Sequence, residues 1–186
     1  MAPAPTMTVD QYFRTPETLR PAELAYGALR VSEAPSVQHQ QAVGAFHLAL
    51  SRYVRQRGLG YVLLSPVDVV LDYDRNLVVQ PDLLFVSQTR SHILKQRVMG
   101  SPDLVLEVLS PNPRVGVLDE RLNWFAQYGV REIWLLHQVT KRFEVVRVEQ
   151  DRPIRAVPVD FDQPIRSLVF PAFESTVNDV LDQSGI

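Results

Sequence analysis

The sequence predicts a single α/β domain, in which a central mixed β-sheet is flanked by helices and extended by peripheral strands. Three observations indicate this fold: two segments with the apolar periodicity of helices, several short segments rich in β-branched residues, and a chain order of helix, strands, helix, strand. A length of 186 residues, with 46% apolar and 22% charged residues, suits one hydrophobic core. We expect a partly disordered segment at 1–17 and one domain at 18–186.

The clearest helix is predicted at 36–57, where Ser36 is a suitable N-cap and Gly58 a suitable residue to end it. Its apolar stripe recurs at spacings of three and four residues: Val43, Phe46, Leu50 and Val54. Further helices are predicted at 8–14, 117–128 and 175–183.

Apolar extended segments supply the predicted strands, at 61–65, 68–72, 77–87, 103–109, 132–139 and 142–149. Turn residues at 73–76 predict a hairpin between the segments on either side. The run at 103–109 is apolar apart from one carboxylate inside it, which is typical of a central strand covered on both faces.

The composition excludes several classes of function. Without cysteine, the chain has no disulfide framework, no Cys-based zinc site and no thiol catalysis. It contains no glycine-rich phosphate loop and no G-x-S-x-G nucleophile elbow. No apolar run approaches the ~18 residues of a membrane helix, and the start of the chain lacks a secretory signal pattern, so we expect a cytoplasmic protein.

The net charge of −2 gives no global positive field that would attract nucleic acid, so binding would need a local basic patch. Three basic clusters are candidates: Arg52, Arg55 and Arg57; Arg90, Lys95 and Arg97; and Lys141, Arg142 and Arg147. The alternative for each cluster is a solvated face with no partner.

Two carboxylates stand out in the predicted strands. Glu107 lies within a core strand, where an ionised carboxylate needs a cation, a proton or a metal as partner. Asp82 follows Pro81 at the entry of another strand, and two carboxylates on adjacent strands can hold a hard divalent ion. Arg121 borders the apolar face of its helix and could reach Glu107, either to stabilise a phosphate or simply to neutralise the acid.

Several segments together resemble a known family. They are PAELAYGALRVSEAPSVQHQ, QPDLLFVS, SPDLVLEVLSPNPR, ERLNWFAQYGVREIWLL and LVFPAFE, which span about 18–180. The combination is similar to the Uma-type restriction endonucleases of the PD-(D/E)XK nuclease superfamily. The resemblance implies a restriction-endonuclease-like core that binds Mg²⁺ or Mn²⁺ through Asp82 and Glu107, cleaves DNA and forms a homodimer.

The resemblance also assigns supporting residues and shows departures. Glu23 matches an early glutamate of the family, and it is either a third acid near the metal or a turn residue. His39 matches a histidine at the start of a family helix. The usual lysine two positions after the glutamate is Leu109, and the lysine that the family supplies from the next helix is matched by Arg121. Arginine is a poor proton donor and acceptor near neutral pH. Two family aspartates are replaced as well, by Val117 and His137.

Three hypotheses follow. The first is a divalent-metal-dependent DNA endonuclease, with Asp82 and Glu107 as metal ligands and Arg121 stabilising the phosphate. The second is a catalytically degenerate nuclease fold that binds DNA or another protein, which the replaced residues favour. The third is a structural oligomeric domain in which Glu107 is paired with Arg121.

Overall fold

The computed structural model describes residues 6–16, 20–109, 115–153 and 156–182. In this part of the chain the α-helices are α1 (Val9–Phe13), α2 (Val37–Arg57), α3 (Val115–Gln127) and α4 (Val177–Asp182), with a 3₁₀-helix at Gln88–Ile93. The strands are β1 (Ala22–Ala25), β2 (Ala28–Val31), β3 (Gly60–Leu64), β4 (Val69–Asp72), β5 (Leu77–Val79), β6 (Leu83–Ser87), β7 (Val98–Met99), β8 (Leu104–Leu109), β9 (Glu132–His137), β10 (Arg142–Glu149), β11 (Arg152–Pro153) and β12 (Val157–Val159).

The strands form two sheets. The larger sheet has the order β11-β10-β9-β8-β6-β3, with β12 also paired to β10. It is mixed, because β8 and β9 run parallel whereas β6 and β8 run antiparallel. The smaller sheet has the order β2-β1-β5-β4-β7. The α/β fold with flanking helices is therefore confirmed, and strands outside the central sheet form a second sheet of their own.

Side chains alternate between the two faces of each strand. The buried apolar side chains form three layers between the sheets and the helices. The first lies between the large sheet and helices α2 and α4, and it includes the stacked rings of Phe46 and Phe143. The second lies between the two sheets and α3, around Phe125. The third lies on the other side of the small sheet, where Val9 and Tyr12 of α1 are buried. Helix α1 thus packs on the domain, whereas the boundary at residue 18 stays a prediction.

Helix α2 forms where its sequence predicts it. The Ser36 side chain accepts a hydrogen bond from the His39 N–H, and Gly58 ends the helix in the left-handed conformation. Two residues later the chain passes so close to β6 that a Cβ on Gly60 would overlap the carbonyl oxygen of Val86. Glycine is therefore required where α2 is followed by β3.

The predicted strand segment 77–87 proves to be two strands in different sheets. Strand β5 pairs with β4 as the predicted hairpin, whereas β6 crosses to the large sheet. The break falls at Gln80 and Pro81, because proline has no N–H to continue a ladder. Within the described ranges, no helix has both the length and the apolar character needed to cross a membrane.

Candidate active site

The candidate site lies where β6 begins and β8 ends, beneath the first turn of α2. By the pairing of Leu83 with Leu106, Asp82 follows on from β6 opposite Glu107. Glu107 shares its face of β8 with Val105, which belongs to the layer between the two sheets. Strand pairing therefore brings the two acids together, and α3 covers them.

Glu107 and Arg121 form a direct ion pair across this layer. The Nε of Arg121 donates to Oε1 of Glu107 at 2.8 Å. Both side chains are largely buried, with 10% of Glu107 and 12% of Arg121 exposed. Helix α3 therefore directs its guanidinium at the carboxylate of the central strand, as the sequence predicted.

Arg121 also holds a second carboxylate. Its Nη1 donates to both carboxylate oxygens of Glu23, at 2.6 and 2.8 Å. The backbone N–H of Gln80 donates to the same Glu23 oxygen at 2.6 Å. One guanidinium thus bridges an acid of the small sheet and an acid of the large sheet.

Asp82 is fixed by two contacts of its own. Its Oδ2 accepts a hydrogen bond from the backbone N–H of Val108 at 2.7 Å. Its Oδ1 lies 3.1 Å from Nε2 of His39, in the first turn of α2. Since a carboxylate only accepts, the His39 ring donates through Nε2 in this contact. Asp82 is thereby tied to both β8 and α2.

The electrostatics of the site combine burial with an excess of negative charge. Burial raises the pKa of Glu107 to about 8; the charge of Arg121 opposes this, while Asp82 and Glu23 add to it. Burial lowers the pKa of Arg121, but the charges and hydrogen bonds of Glu107 and Glu23 outweigh it and hold that pKa above its ordinary value. Three carboxylates around one guanidinium favour either a proton or a further cation.

Comparison with known proteins decides the family. A family model described as Uma2, "Putative restriction endonuclease", matches residues 9–178 of this chain. The chain belongs to the Uma2 family. The crystal structure of a "putative nuclease belonging to DUF820" from Anabaena variabilis ATCC 29413 has the same fold, with a TM-score of 0.80. It is 17% identical in sequence, over 96% of this chain and 99% of that one. Among curated proteins, none matches the sequence.

The residues of this Uma2-family site fit a hard divalent cation in donor type and charge. Within the described parts of the chain, no group of three or more His, Cys, Asp or Glu side chains is arranged as a metal site. Mg²⁺, however, is usually held by one or two carboxylates together with waters and substrate phosphates. Asp82 and Glu107 supply such a pair, and Oε2 of Glu107 accepts no hydrogen bond from the residues described.

The structure brings five predicted residues into this Uma2-family cluster: Glu23, His39, Asp82, Glu107 and Arg121. Leu109 ends β8 and pairs with His137 at the end of β9. The Nε2 of His137 is buried and has no hydrogen-bond partner in the described part of the chain. The side chain of Val117 lies outside what the structure describes.

Sequence reasoning missed the part played by Gln80. Its contribution to the site is a backbone N–H, which every residue type except proline supplies. The only signal in the sequence is its position before Pro81, where the chain passes from one sheet to the other.

Proposed function

We propose that this Uma2-family protein hydrolyses phosphodiester bonds in DNA with the help of Mg²⁺ or Mn²⁺. The observation that carries the proposal is that Asp82 lies beside Glu107. Asp82 accepts a hydrogen bond from the backbone N–H of Val108, the residue directly after Glu107. This hydrogen bond sets two acids side by side in a buried site of excess negative charge. The nuclease fold and the family match support the same reaction class.

Asp82 and Glu107 would hold the cation, which when bound stabilises the charge of the phosphate and activates a water. His39 keeps Asp82 in place through the contact at Oδ1. Arg121 holds Glu107 and Glu23 through Nε and Nη1, while its Nη2 makes no hydrogen bond with the described residues. That nitrogen is free to bind an oxygen of the phosphate. The role of Glu23 as a third metal ligand stays a prediction, because both of its carboxylate oxygens accept hydrogen bonds from Arg121.

The test is cleavage of supercoiled plasmid DNA in Mg²⁺ or Mn²⁺, with an EDTA control. Asp82→Asn and Glu107→Gln remove the charge of each acid, and Asp74→Asn is the matched control because Asp74 is exposed in the β4–β5 turn. We expect wild type and D74N to cleave and both acid variants to lose more than about 100-fold, since even outer-shell changes at metal sites cost 10–100-fold. Equal cutting by wild type and D82N would assign the activity to a contaminant.

A second function is favoured by one specific contact. Arg121 already neutralises Glu107 and Glu23, as expected of a degenerate nuclease fold kept for DNA or protein binding, or of a purely structural ion pair. Thermal unfolding separates these readings from the first. Saturable stabilisation by Mn²⁺ that is lost in Glu107→Ala counts against both, whereas no stabilisation of the wild type supports them.

We further propose that the protein acts as a homodimer in the cytoplasm. Two sites are needed to cut both strands of a duplex at one position, and a chain without cysteine suits a reducing compartment. Sedimentation equilibrium of the purified protein would test the dimer, and a mass of one chain at all concentrations would contradict it.

A further inference from the structure

The turn between β9 and β10 stands at the same end of the large sheet as the acids. Glu107 pairs with Leu135, Leu109 pairs with His137, and His137 pairs in turn with Arg142. The turn at 138–141 therefore begins about three residues, or roughly 10 Å along the strand, beyond the level of Glu107.

The first turn of α2 joins this hairpin to the acids. The side-chain amide of Gln138 donates to the backbone oxygen of Gln38 at 2.9 Å. The next residue, His39, contacts Asp82 at 3.1 Å. Hairpin and acid cluster are thus attached to neighbouring residues of one helical turn, which fixes their relative position.

The hairpin carries positive charge that the fold does not use. Lys141 is exposed and forms no ion pair with any residue that the structure describes. Arg142 is paired with Glu144, and Arg147, from the same basic cluster of the sequence, lies five residues further along β10 toward the opposite end of the sheet. Val139 is 65% exposed at the same turn. Of this cluster, only Lys141 therefore presents, at the acids' end of the sheet, an exposed cation with no ion pair to the described residues.

We infer that the β9–β10 hairpin is a DNA contact, in which the ammonium of Lys141 binds a backbone phosphate next to the bond to be cut. This inference rests on the proposed function. Even with a divalent ion bound, three carboxylates and one guanidinium leave the site without net positive charge, so cations around it would add to the attraction of a polyanion. Lys141 stands at the end of the sheet that carries the acids, two strands across from Glu107, so it can add attraction without entering the cluster.

The experiment compares the two lysines of the chain, Lys95 and Lys141. Lys141→Gln and Lys95→Gln each remove one exposed charge, and Lys141→Arg restores it. Binding of a fluorescent DNA duplex is measured by anisotropy across a range of salt, with Ca²⁺ in place of Mg²⁺. We expect the slope of log K against log salt concentration to be less steep by about 0.9 for K141Q than for wild type. Its affinity at 0.1 M salt should be roughly eightfold lower. Wild type, K95Q and K141R should share one slope.

Cleavage kinetics supply the readout that a structural role would not move. We expect K141Q to raise KM while kcat stays at the wild-type value, because a contact to a neighbouring phosphate that does not itself react contributes uniform binding. Equal slopes for K141Q and wild type, or an equal loss in K95Q, would overturn the hairpin contact while leaving metal-dependent cleavage to stand. A wild type that binds no duplex would also overturn it, and plasmid cleavage would then judge the proposed function separately.

Discussion

The carboxylate of Asp82 accepts a hydrogen bond of 2.7 Å from the backbone N–H of Val108. This contact lies where the antiparallel pairing of β6 and β8 ends, so the Asp82 side chain adds one hydrogen bond beyond the last backbone pair. It makes Asp82 a structural residue as well as a candidate metal ligand, and the two roles are separable by substitution.

Asp82→Ala should destabilise the fold, whereas Asp82→Asn should leave it near wild type. Alanine leaves the Val108 N–H without its acceptor in a partly buried place, which costs about 1–3 kcal/mol. Asparagine keeps one acceptor oxygen for that N–H, and its NH₂ can donate to Nε2 of His39 in the other ring tautomer. Urea unfolding of both variants checks this. A D82N variant as unstable as D82A would show that the charge, and not the hydrogen bond, holds this junction.

Substitutions at Arg121 should separate stability from catalysis. Arg121→Ala leaves Glu107 and Glu23 without their cation and should destabilise the protein by about 3–5 kcal/mol. Arg121→Lys keeps the charge but replaces two donor nitrogens by one ammonium nitrogen, so its loss should be smaller. Because an ammonium can exchange a proton more readily than a guanidinium, we expect R121K to cleave plasmid at least about tenfold faster than wild type. Slower cleavage by R121K would show that the fork of arginine is required.

Glu107 should make stability depend on pH. Its pKa of about 8 in the folded protein lies above the ordinary value of 4.5, so the folded chain binds more protons than the unfolded chain between those values. The unfolding free energy should therefore fall as pH rises through this window, and Glu107→Gln should remove that fall. Urea unfolding in EDTA at about pH 5, 7 and 9 measures it. Parallel curves for wild type and E107Q would contradict a raised pKa.

Glu132 should matter for stability alone. It is fully buried and accepts hydrogen bonds from Trp134 Nε1 at 2.7 Å, Ser167 Oγ at 2.6 Å and the Leu168 N–H at 2.7 Å. Glu132→Gln turns an amide NH₂ toward one of these donors and should cost about 2 kcal/mol or more. Glu149→Gln at the exposed end of β10 is the control. Reduced cleavage by folded E132Q, measured below its unfolding transition, would mean that Glu132 also acts on the site.

The fold was predictable where local rules decide it. The cap at Ser36, the end at Gly58 and the β4–β5 turn all follow from residue types at short spacing. The division of the strands between two sheets was not, because 77–79 and 83–87 are equally apolar and only Gln80 and Pro81 separate them.

The candidate site was predictable in its members but not in its connections. Glu107 and Glu132 are both carboxylates in apolar strands, and both are buried. What distinguishes them is the partner: neutral donors hold Glu132, whereas a cation and two further acids surround Glu107. The pairing of Arg121 with Glu23 joins residues 98 positions apart. It depends on how the small sheet packs against α3, which no local pattern encodes.

The central claim is that Asp82 and Glu107 hold a divalent metal ion. Anomalous diffraction from crystals soaked in Mn²⁺ tests it most directly, with D82N crystals soaked alongside. We predict one manganese peak in contact with both carboxylates in the wild type and none in D82N. A wild-type site with no manganese at saturating concentration, and with Arg121 still bonded to Glu107 and Glu23, would contradict the claim.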